Sequence, residues 1–185
     1  MWSLERAARL LIVLALAGLT GGCFTPLYGS ATGGPGAPLQ QKLASVDVAP
    51  IPTWNVPNGT RLTRVSVNIR NDLMFDLTGG GPAASPTHRL DIKLSASTTE
   101  IVVDVNTNRP DVENYAITAT YTLTDIATGK VVVNSTTFSR VSYNIPGQQQ
   151  RFAGQRGLQD AEDRAAKVIA DNIRSRLASY FVAGT

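Results

Sequence analysis

One cysteine, one histidine and few aromatic residues (6%) stand in a chain of 185 residues. A single cysteine excludes a disulfide framework within the chain. With one histidine beside it, a zinc site of the usual His/Cys type is excluded too, because such a site needs three or four ligands. The formal charge of +3 is far from the concentrated basic face that nucleic acid demands. Long apolar runs are scarce as well. Residues 10–19 (LLIVLALAGL) form a run of ten, whereas a spanning helix needs about 20. Catalytic signatures are also missing. Gly79-Gly80-Gly81-Pro82 lacks the Lys-Ser/Thr of a phosphate loop. Ser85, His88 and Asp91 lie close in sequence, but no nucleophile elbow surrounds the serine.

What the N-terminus does contain reads as a secretory signal. Arg6 and Arg9 precede the apolar run, and small residues Thr20, Gly21 and Gly22 follow it. Cys23 comes next. Leu19-Thr20-Gly21-Gly22-Cys23 resembles the lipobox of bacterial lipoproteins, with Thr20 where an aliphatic residue is usual and Leu19 one place earlier. That resemblance implies diacylglycerol on the thiol and an acyl chain on the new amino terminus of Cys23, with no other cofactor. The alternative, a secreted protein with a free thiol, places a reactive group in an oxidising compartment. Two of the 17 basic and one of the 14 acidic residues fall in the signal, which leaves a formal +2. Three parts are expected: a signal over residues 1–22, a lipidated Gly/Pro-rich tether over 23–42, and one domain over 43–185.

Periodicity predicts the domain's elements. A strand is expected over 43–51, where Val46 and Val48 alternate with Ser45 and Asp47 and prolines follow. Residues 61–77 alternate like a strand at Val65, Val67 and Ile69. They also place Leu62, Val65, Ile69, Leu73 and Leu77 on one helical face, and helix is the reading adopted. Strands are expected over 88–96, with a continuation through 101–105, then over 114–125 and 130–143. The last strand carries Val131, Val133, Phe138 and Val141, and a turn at Ile126–Gly129 joins it to its predecessor. A long amphipathic helix over 157–181 should bury Leu158, Ala161, Ala165, Val168, Ile169, Ile173, Leu177 and Phe181. The expected fold is α+β, in the order β-α-β-β-β-α, with two helices on one face of a four-stranded mixed sheet.

Several short stretches carry a family resemblance. Cys23-Phe24-Thr25-Pro26-Leu27-Tyr28-Gly29 resembles the start of mature LptE, the lipopolysaccharide-assembly lipoprotein, in its alphaproteobacterial form. Val46–Ile51, Arg70-Asn71-Asp72-Leu73, Tyr115–Asp125 with Gly129, Ser142-Tyr143-Asn144, Phe152-Ala153 and the helix start at Asp160–Arg164 follow in the order of that family. The resemblance implies the same fold and no catalysis. It implies a plug in the large outer-membrane barrel LptD, with lipopolysaccharide as the cargo and an outer-membrane, periplasm-facing location. It also implies that two basic residues contact lipopolysaccharide: Arg109, expected in the Asn106–Pro110 turn before the third strand, and Arg151, ahead of Phe152-Ala153 near the last helix. Phe24 after the cysteine avoids the aspartate that retains many lipoproteins in the inner membrane.

The hydroxyl row Thr118, Thr120, Thr122 and Thr124 offers a face suited to a polar barrel lumen. It reads equally as a solvent-facing row of good strand formers. Two rival functions are a generic outer-membrane lipoprotein that binds amphiphiles or cell-wall components, and a periplasmic hydrolase built on Ser85 and His88. Mass spectrometry of the mature protein should find Cys23 as the first residue, carrying a thioether-linked diacylglycerol and an N-acyl chain. An unmodified thiol with a free amine there would remove the anchor.

Overall fold

The computed structural model describes residues 39–53, 59–104, 109–145 and 151–184. Cys23, the signal and the leader lie outside the described residues. A short helix, α1 (Leu39–Ala44), precedes strand β1 (Val46–Val48). Helix α2 (Gly59–Thr78) connects to β2 (His88–Asp104), β3 (Arg109–Asp125) and β4 (Val131–Asn144), and α3 (Arg151–Ala183) closes the fold. The sheet runs β1-β2-β3-β4 in sequence order, with β1 parallel to β2 and the other pairs antiparallel. After α1, the order is the expected β-α-β-β-β-α.

The alternation in β2 and β3 creates the core. Leu90, Ile92 and Leu94 are buried on one face of β2, and Tyr115, Ile117, Ala119, Tyr121 and Leu123 on the same face of β3. Both helices cover this face. Leu62, Val65, Ile69, Leu73 and Leu77 of α2 are all buried, so the helical reading holds, and Val67 is half exposed. Gly79 and Gly80 end α2 with positive φ, and the Gly80 amide donates to the Phe75 carbonyl at 3.2 Å. Gly129 also has positive φ. Its turn is held by Asp125 Oδ1, which accepts from the amides of Ala127 and Thr128 at 2.8 and 3.1 Å.

Three local expectations are corrected. The opening strand over 43–51 is three residues long, because residues 39–44 are helical and bury Leu43 against the core. This helix begins before the expected end of the tether at residue 42. Second, Phe138 and Val131 point away from the core. Phe138 is an odd number of positions from buried Val133, so an alternating strand puts them on opposite faces. Val131 is displaced by a register shift opposite Leu123 and Thr124. Ser139 and Tyr143 take the inner positions. Third, α3 starts at Arg151, and its buried arc is shifted. Ala166, Ala170 and Ala178 are buried while Val168 is exposed. Small side chains let α2 and α3 approach closely, and Val168 falls outside that contact.

One charge lies within the helix pair. Glu162 of α3 is completely buried, and its carboxylate meets Arg64 closely and Arg61 at 3.6 Å, both from α2. These guanidinium groups are its only partners among the described residues, and both are about half exposed. The asymmetry predicts unequal mutants. Arg64→Met strands a buried carboxylate and should cost about 3 kcal/mol, whereas Glu162→Met releases two arginines into water and should cost less. Urea unfolding of both variants checks this, and a larger loss from Glu162→Met would overturn it.

His88 closes the opposite end of the layer. Its ring packs edge-on against Phe181 (centroids 5.1 Å apart) and Tyr180 (6.3 Å) of α3, while Nδ1 meets the Thr87 hydroxyl at 2.8 Å. Burial pushes the imidazole below its usual 6.5, and Asp125 partly opposes this. As pH falls the unfolded chain therefore takes up the proton first. The stability contribution is complete above about 6.5 and is lost as pH drops through the folded value. His88→Phe keeps the ring contact without the titration. It should lose less stability than the parent protein between pH 7.5 and pH 5, and equal losses would exclude His88 as the source.

Candidate functional site

The face of the sheet opposite the helices is open and polar. Across it, side chains stand in rows of three from β2, β3 and β4. Arg89, Thr124 and Val131 form the first row, followed by Asp91, Thr122 and Asn134, then Lys93, Thr120 and Thr136. Next come Ser95, Thr118 and Phe138, then Ser97, Ala116 and Arg140, then Thr99, Asn114 and Ser142. Strand alternation places the four threonines on this face, with Thr118 and Thr120 exposed and Thr122 and Thr124 half-buried. Thr120 and Thr136 share a hydrogen bond of 3.2 Å, and Ser142 donates to Asn114 Oδ1 at 2.6 Å. The other hydroxyls give a surface that can both donate and accept. Arg89 pairs with Asp91 at 3.4 Å. Lys93 and Arg140 have no carboxylate partner among the described residues.

Phe138 is the one aromatic ring in these rows. It is 72% exposed, in a row with Ser95 and Thr118 and next to the row of Arg140. Sequence reading grouped it with the core valines, although the parity difference from Val133 was visible in the spacing.

A second polar region lies where the inner face of the sheet meets the ends of the helices. Tyr143 of β4 donates a close hydrogen bond to Glu113 of β3. Burial, then the bond to Glu113, pushes the Tyr143 phenol well above its usual range. Tyr115 is raised by burial, while the nearby Arg61 and Arg64 act against the shift. An open cleft of about 440 Å³ adjoins Tyr143, lined by Ser142, Asn144, Ala153, Gly157 and the Asp160–Arg164 ion pair. α3 passes close to β4 here: a Cβ on Gly157 would stand in ordinary van der Waals contact with the Asn144 carbonyl oxygen, 3.4 Å away. On the outer flank of the helices, Lys167 joins Asp76 at 2.9 Å and Asp171 at 3.2 Å. Burial raises the carboxyl of Asp72 beside them.

The basic residues expected at lipopolysaccharide both open an element. Arg109 is the first residue of β3, opposite Asp104, and not in the preceding turn, while Arg151 is the first residue of α3. Their side chains lie outside the described residues. The hydrolytic trio is not assembled. His88 and Asp91 lie on opposite faces of β2, with Asp91 committed to Arg89. Among the described residues, no three His, Cys, Asp or Glu side chains group as a metal site.

The model of the LptE family, lipopolysaccharide-assembly, matches residues 43–177. A candidate lipoprotein from Caulobacter crescentus has a similar solved fold, with a TM-score of 0.54 at 19% identity over 80% of this chain and 97% of that one. Rare lipoprotein B from Shewanella oneidensis gives 0.53 at 13% identity, over 75% of this chain and 96% of that one. Among curated proteins nothing matches significantly. The two structures share the fold, and the family match spans the domain from the end of α1 into α3: the chain belongs to the LptE family of lipopolysaccharide-assembly proteins.

Proposed function

We propose that this chain is an outer-membrane lipoprotein, anchored through lipid on Cys23, that plugs the lipopolysaccharide-translocating barrel LptD. In that seat it helps the barrel assemble and helps deliver lipopolysaccharide to the outer leaflet, without catalysis. The family match over residues 43–177 carries this reading. The fold supports it physically. A plug must be stiff and polar outside, and here two helices brace a sheet whose other face is mostly hydroxyl and amide. The threonine row would face the polar lumen. Arg109 and Arg151 would meet lipopolysaccharide phosphates, because a guanidinium can give a phosphate two parallel hydrogen bonds. Two or more acyl chains make the anchor stable and hold the domain beside the barrel at high effective concentration.

Affinity purification of the tagged lipoprotein from crosslinked outer membranes should recover a large barrel in near-equal amount. Recovery as a free monomer, or bound only to amphiphiles, would favour the generic lipoprotein instead. In detergent, Arg109→Glu should weaken lipopolysaccharide binding several-fold at low salt with an unchanged unfolding midpoint. Unaltered binding would remove Arg109 from the contact.

A further inference from the structure

We propose that Phe138 and Arg140 of β4 anchor the open sheet face to the inner wall of the barrel, and that the wall opposite them carries carboxylates. This deepens the function proposed above and rests on it. Phe138 is 72% exposed near the middle of a face built mostly of hydroxyl, amide and charged groups, with Val131 and Ile101 exposed at its two ends. Nothing in the domain's own packing calls for an aromatic ring there. Its cross-strand neighbours Thr118 and Ser95, and Ala116 and Ser97 in the next row, are small. The ring therefore stands above a shallow floor, open to a partner's side chain. Arg140 is beside it on the same face of β4. Aromatic residues and arginine are the types enriched at the centre of protein interfaces, ringed by contacts of little individual energy. The surrounding hydroxyls suit that ring.

Charge and size narrow the occupant. Three basic groups (Arg89, Lys93 and Arg140) against two acidic ones (Asp47, opposite Arg89, and Asp91, paired with it) leave the face net positive. A second copy of this chain, meeting it by two-fold symmetry, would set that positive patch against itself. A lipid surface needs a broad apolar face, and this face has one large ring at its middle. The rows from Thr124 to Val112 span roughly 40 Å by 14 Å over three strands, or about 600 Å² before side-chain relief. That approaches the ~800 Å² per partner of a stable protein interface. A polar wall with acidic side chains fits the area, the polarity and the sign of charge together.

The test uses the full lipoprotein in outer membranes. Phe138→Ser should recover at least ten-fold less barrel after crosslinking and purification than the parent, and Arg140→Glu several-fold less. Both should keep the parental unfolding midpoint, since the side chains are exposed. Val67→Asp, at an exposed apolar position on α2 in the other layer, should leave recovery unchanged. Parental recovery from Phe138→Ser would overturn the proposal, as would an equal loss from Val67→Asp. Retained barrel with lost lipopolysaccharide binding, or with lost self-association, would assign the face to those occupants and also overturn it. If the parent protein itself recovers no barrel, the plug reading fails first, and that result is distinct from an anchor failure.

Discussion

Side chains in a strand alternate between faces, and β2 and β3 obey this over most of their 17 residues each. Everything else in the domain answers to that alternation. One face carries leucine, isoleucine and tyrosine and cannot remain in water, so α2 and α3 must both lie on it. The opposite face carries serine, threonine and charge, which are already satisfied by solvent. No third layer is required. A two-layer fold with one finished polar face follows, and the polar face is what the molecule has left to offer another surface.

The covered side shows how closely the layers meet. Five residues of α3 that touch the core are alanines, which let the helix axis come near both α2 and the sheet. Where the contact could have been wholly apolar, it holds Glu162 and two arginines of α2. Such a group adds little net stability relative to a hydrophobic replacement, since desolvation offsets the attraction. It does penalise alternative alignments of the two helices, because a slip by one turn leaves a buried carboxylate alone. Stiffness of this kind suits the proposed role as a plug.

The layered order was legible in the sequence because each long element repeats one period. Strands β2 and β3 were readable from their apolar spacing alone, whereas residues 61–77 of α2 fitted both periods. Misreadings fell where that signal is short or mixed. α1 and β1 together offer nine residues, too few for a period to dominate, and α1 is held by a distant contact, Gln40 Nε2 donating to the Leu77 carbonyl at 3.0 Å. In β4 the apolar residues change parity between Val133 and Phe138. The sequence therefore contained the outward ring, but valuing hydrophobicity over spacing concealed it. The partnership of Glu162 with Arg61 and Arg64 joins residues about a hundred positions apart, and no local pattern reports it. Arg109 and Arg151 were placed through family resemblance, and the backbone adds only that each begins an element.

The two edges of the sheet are unequal, and the difference bears on the proposed seat. β1 is three residues long, whereas β4 exposes an edge of 14 residues with no proline or lysine and a single charge, Arg140. Edge strands in free-standing domains are usually blunted by such residues, because open amides and carbonyls recruit other strands. α3 packs against the inner face of β4, and among the described residues no strand pairs beyond it. A chain that spent its life free in the periplasm would need another safeguard. A chain held by lipid beside its partner, and then enclosed by it, would have that edge sequestered by the assembly. The bare edge and the unburied ring lie on the same strand, so one docking event would cover both.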